Sequence, residues 1–271
     1  MAQEQPQPPD GGSPPPPQPT VVDDSWPHTG LFRAVCDALF ALPAFFKSDL
    51  HISGVLATDL FTFNASLGAT IEVQVVEALN SLRTTWDPAD MYRLYSFARQ
   101  PQRFPDVILR RAAPGPEPIL MGIELKGWYI LAREKEPSFR YRVTPAVCAP
   151  ADLLVVYPWA LSNVISGSPR LFQPYVVNAR YAAEYRNWHW QYAKGTDGGN
   201  EIAVSAVTHH YPVKIDKISD VAKQDSGGNF GRFARTGLMD EYMKTVFRED
   251  LAGIPLEAWQ QFLSRFSTGG Y

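Results

Sequence analysis

Residues 104–131, FPDVILRRAAPGPEPILMGIELKGWYIL, govern how the rest of the chain is read. They have the pattern of two strands joined by a turn rich in proline and glycine, with Asp106 on the first strand and Glu124 and Lys126 on the second. Successive side chains of a strand point to opposite faces, so Met121, Ile123 and Leu125 share one face while Glu124 and Lys126 share the other, beside Gly122. Antiparallel pairing would bring Asp106 to that second face. Two carboxylates and one ammonium then project together from an apolar ribbon, a cluster able to bind a divalent metal.

Immediately upstream, Ala69 to Arg83 places Ile71, Val75, Val76, Leu79 and Leu82 on one helical stripe. Projected at about 100° per residue, the stripe covers an arc of about 140°, and Glu72 lies inside it between Leu79 and Val76. A carboxylate there needs a partner. Either a buried arginine or lysine pairs with it, or it is a third acid aimed at the same site as Asp106 and Glu124.

Further out, residues 1–27 are dominated by proline and glutamine and read as a disordered tail of polyproline II character, leaving 28–271 as a single domain. A helix from Thr29 through Leu31, Val35, Leu39 and Leu42 is expected to stop at Pro43. Thr58 to Phe63 is a short extended or helical piece, and Asn64 or Ser66 is a candidate cap for the helix that follows. Downstream, Thr144-Pro145 opens a short helix before Pro150. Asp152-Leu-Leu-Val-Val-Tyr157 is a continuous apolar run suited to a strand covered on both faces. Strand, strand, short crossover and buried strand imply an α/β domain with a mixed central sheet flanked by helices.

Later segments are less diagnostic. An aromatic helix is expected over Ala179 to Ala193, carrying Arg180 and Arg186, and a strand over Ile202 to Val207. Gly227 to Gly231 is a glycine loop whose neighbours Arg232 and Arg235 are candidate phosphate contacts. Two helices, about Gly237 to Arg248 and Pro255 to Phe266, close the chain.

Composition narrows the chemistry. No apolar run approaches the roughly 20 residues of a membrane span, and a basic, apolar secretory start is absent. Two distant cysteines, Cys36 and Cys148, argue against a disulfide framework and a zinc site, so a cytoplasmic location is expected. The net charge of −3 gives no global attraction to nucleic acid, yet Arg93, Arg99, Arg103, Arg110 and Arg111 crowd one short segment. There is no G-x-S-x-G elbow, no HExxH, and neither a Walker lysine nor Rossmann spacing in the glycine loop.

Pro105-Asp106 followed by Glu124-Leu125-Lys126 on the next strand resembles the signature of the PD-(D/E)XK nuclease superfamily, the restriction-endonuclease-like fold. The resemblance covers about residues 69–157, and Glu72 falls on the preceding helix, where several members carry an extra acid. It implies a Mg²⁺-dependent endonuclease, with Mn²⁺ as a substitute, that hydrolyses DNA, with a homodimer as one form. In that family setting Asp106 and Glu124 hold the metal, with the Leu125 carbonyl and Glu72 as further ligands, and Lys126 acts on the attacking water. The alternative is a non-catalytic nucleic-acid-binding or partner-binding module of the same fold.

Overall fold

The computed structural model describes residues 13–54, 64–132, 134–194 and 200–266. The first 12 residues of the tail and the piece Thr58 to Phe63 lie outside these. Residues 13–23 have no regular secondary structure, but the Pro14 carbonyl accepts a hydrogen bond from Trp188 Nε1 at 2.7 Å and Val22 is buried in the core.

The centre is a six-stranded mixed sheet: β1 (Tyr95–Arg99), β2 (Val107–Arg111), β3 (Ile119–Tyr129), β4 (Leu153–Leu161), β5 (Pro169–Leu171) and β6 (Tyr175–Asn178). The first three strands form an antiparallel meander, and β3 then pairs in parallel with β4. On its other edge β4 pairs antiparallel with β6 along its first half and with β5 along its last three residues. All nine residues of β4 are buried, as expected of an apolar run without alternation. The β3 to β4 crossover holds only a 3₁₀ turn, Pro145–Val147, so the short helix anticipated before Pro150 is a single turn.

Helix α1 (Thr29–Phe45) runs through Pro43 instead of stopping there. Proline cannot donate to the carbonyl four residues back, which leaves Leu39 O unpaired within the helix. The Tyr157 hydroxyl of β4 donates to that oxygen at 2.8 Å, so the break is repaired by a side chain and the helix continues. Helix α2 (Asn64–Ser81) buries Ile71, Val75, Val76 and Leu79 against β1 and β3, while Leu82 is buried just beyond its end, before the short α3 (Arg83–Trp86). These apolar faces give the core that fixes α2 against β3, with Gly68 beside Gly127.

In the C-terminal third, α4 (Ala179–Trp188) passes into a π turn, His189–Ala193. The strand expected over Ile202 to Val207 is reduced to Ile202–Ala203, paired with Val221–Ala222, because Ser205 N turns away to Asp220 Oδ1 at 3.0 Å. Helices α5 (Asp240–Val246) and α6 (Leu256–Phe266) end the described chain. Among the described residues no helix is long and apolar enough to cross a membrane.

Candidate active site

The β2/β3 register builds the site. Ile108 faces Gly122 and Val107 faces Ile123, so continuing the ladder by one residue sets Asp106, just before β2, opposite Glu124. Leu125 N donates to Asp106 Oδ2 at 3.0 Å and Asp106 N donates to Glu124 Oε2 at 3.3 Å. The Lys126 ammonium lies between the two acids, 3.1 Å from Asp106 Oδ2 and 2.8 Å from Glu124 Oε1. Asp106, Glu124 and Lys126 therefore meet, as their placement on one face of the hairpin requires. In a hydrogen-bonded antiparallel pair both main-chain groups of a residue face the same neighbour, so the Leu125 carbonyl shares the Asp106 edge with its N–H.

Close packing below the acids sets this alignment. A Cβ at Gly122 would lie 2.2 Å from Cγ of Pro105, so only glycine lets the Pro105-Asp106 segment approach β3 this closely. Gly122 N donates to Asp152 Oδ1 at 2.7 Å, and Asp152 also accepts from Ala149 N at 2.8 Å and from the Tyr211 hydroxyl at 3.3 Å. Asp152 is wholly buried, and burial pushes its carboxyl up to about 6 although these donors oppose the shift. Sequence reasoning treats Asp152 only as the edge of an apolar run. The available signal was an acid directly preceding a strand with no exposed position.

Glu72 on α2 lies 3.6 Å from the Arg99 guanidinium of β1, each side chain being partly exposed. The arginine partner of this acid is thus an exposed one and not the buried cation expected for an acid inside an apolar stripe. Its carboxyl also feels the site: burial raises its pKa first and the Asp106 charge adds to this, while Lys126 and Arg99 oppose them. Among the described residues no group of three or more His, Cys, Asp or Glu side chains is gathered to hold a metal ion.

The electrostatics are unbalanced. Burial is the largest influence on Glu124; with the Asp106 charge it outweighs Lys126 and pushes the carboxyl up to about 7. For Lys126, burial favours the neutral amine, but Glu124 and Asp106 outweigh it and raise its pKa, so the side chain stays an ammonium. One cation thus serves two carboxylates, and the buried one is left under-compensated.

Arginines of the 93–111 segment divide between two places. Arg99 lies beside Glu72, whereas Arg93 and Arg111 line a cavity with His28, Tyr92 and Tyr95 at the other end of β1. The five residues of β1 put the two ends roughly 13 Å apart. Other candidate nucleophiles are inert: burial raises the Cys36 and Cys148 thiols to about 11 and about 12, so both stay protonated at neutral pH. Comparison of the chain with protein-family models, with curated proteins and with solved structures finds no match.

Proposed function

We propose that the chain is a Mg²⁺-dependent endonuclease that hydrolyses DNA phosphodiester bonds on a restriction-endonuclease-like fold. Support for the fold comes from the order helix, three antiparallel strands, crossover and a fourth strand parallel to the third. The observation that carries the function is Lys126 Nζ held within 3.1 Å of Asp106 and 2.8 Å of Glu124.

The donor set fits a hard divalent cation. Asp106 and Glu124 offer carboxylate oxygens, the Leu125 carbonyl faces the same edge, and oxygen ligands favour Mg²⁺ or Mn²⁺ over zinc. A buried carboxylate raised to about 7 gains most from added positive charge. A magnesium ion bound there would supply a water that is nucleophilic near neutral pH and positive charge against the pentavalent transition state. Lys126, kept protonated, orients that water and donates to a phosphate oxygen as charge builds on it. Glu72 accepts a hydrogen bond from water at the rim while Arg99 holds its carboxylate.

Plasmid DNA incubated with the purified chain and Mg²⁺ should be nicked or cut, and Lys126→Ala should leave it intact. Equal cleavage by both proteins would remove the assignment. The alternative, a non-catalytic binding module of the same fold, takes the pairing of Lys126 with both acids as a structural ion cluster. It expects intact plasmid in every case.

A further inference from the structure

A second concentration of positive charge surrounds a cavity of about 190 Å³ between the π turn after α4 and the segment 229–236. Lys194, Arg232 and Arg235 line it, with Arg186 and His189 behind them. Two of these cations are paired, Arg186 inside the fold with Asp220 at 2.7 Å and the exposed Arg235 with Glu136 at 2.9 Å. Lys194 and Arg232 have no carboxylate in ion-pair range among the described residues, and the Lys194 ammonium instead sits 3.5 Å over the Trp190 ring.

Two donors of the lining are buried without an acceptor among the described residues, Arg232 Nε and Trp190 Nε1. An unpaired buried donor is costly, so two beside one cavity call for a ligand that accepts. The cations also crowd one another: burial and then Lys194 lower the His189 pKa, and for Lys194 burial lowers it, Asp225 opposes and Arg235 adds to the lowering. Two amides of the glycine loop, those of Asn229 and Phe230, are already bonded to Asp225 Oδ1, at 2.6 and 3.1 Å, so the side chains carry the phosphate contacts anticipated for this loop.

We propose that this cavity is an oxyanion site that takes a phosphate group, gripped by Arg232 and Lys194. Its volume lies below the roughly 300–1,000 Å³ of drug-sized ligand pockets, which suits a ligand as small as a phosphate group. Guanidinium and ammonium are the side chains that match phosphate by fork geometry and by point charge. The site stands whether or not Asp106 and Glu124 support cleavage.

Inorganic phosphate titrated calorimetrically into the full chain in chloride buffer of fixed ionic strength tests this. Wild type should bind saturably, and Arg232→Met and Lys194→Met should each bind about tenfold or more weakly. If Arg232→Met fails to fold, Lys194→Met decides alone, because Lys194 holds no ion pair within the described structure. A DNA duplex that displaces phosphate identifies a strand phosphate as the occupant, and failure to compete identifies a small phosphorylated ligand. Absence of saturable binding, or wild-type binding by Lys194→Met, overturns the proposal.

Discussion

Two charge clusters in this fold each contain a buried acid, and they are built on opposite terms. Arg186 and Asp220 form a pair with 2% and 0% side-chain exposure, one cation to one anion. Asp220 accepts from Arg186, Asn187 and Ser205, and Arg186 also donates to the carbonyls of Tyr141 and Val143. This cluster ties α4, the segment before the 3₁₀ turn and the loop at Ser205 into one unit. The Asp106, Glu124 and Lys126 cluster has two anions for one cation, and its buried acid is pushed up to about 7. A fully paired cluster stabilises a fold and offers nothing to a ligand. An unbalanced one is expensive to keep and prepared to receive positive charge.

The sharpest way to break the comparison is to unpair the balanced cluster. Arg186→Met leaves Asp220 buried without its cation and should destabilise the chain by about 3–5 kcal/mol, read from urea unfolding. At the unbalanced cluster the sign reverses. Below about pH 4.5 Glu124 is protonated folded and unfolded alike; as pH rises to about 7 the unfolded chain releases this proton first, so the native protein loses stability across that window. Glu124→Gln has no such loss and should exceed wild type by up to about 3 kcal/mol at pH 8, with the advantage gone near pH 4.5. Unfolding midpoints at the two pH values check this, and a destabilised Glu124→Gln at pH 8 would show that Glu124 is fully compensated.

Smaller effects sharpen the contrast. Asp152→Asn keeps the oxygen that accepts from Gly122 N and the Tyr211 hydroxyl but sets an amide donor against Ala149 N, so a loss of about 1–2 kcal/mol is expected in the same unfolding assay. Glu72→Gln removes a partly exposed contact to Arg99 and should change stability by less than about 1 kcal/mol, while lowering any Mg²⁺-dependent cleavage rate.

What could be read in advance follows from the range of the interactions. The two faces of β3, the stripe of α2 and the buried run of β4 are local periodicities, and Asp106, Glu124 and Lys126 come together because a hairpin converts period two into proximity. The helical wheel demanded a partner for Glu72 without saying that β1 would supply Arg99. Strand β1 itself was not legible, since in Tyr95–Arg99 only Phe97 is buried and no apolar alternation marks it. Nor were Tyr157 bonding Leu39, Asp152 bonding Gly122 and Asp220 bonding Arg186, whose partners are 118, 30 and 34 residues apart. Those bonds exist only once the sheet has set which segments meet.

Mg²⁺ binding to the wild-type chain, followed by isothermal titration calorimetry at pH 8 and compared with Asp106→Asn, tests the central claim that the unbalanced cluster is a cation site. The expected result is saturable binding in wild type, weakened as pH falls below about 7 because Glu124 takes up a proton, and lost in Asp106→Asn. No saturable binding in wild type, or equal binding in the two proteins, would contradict it.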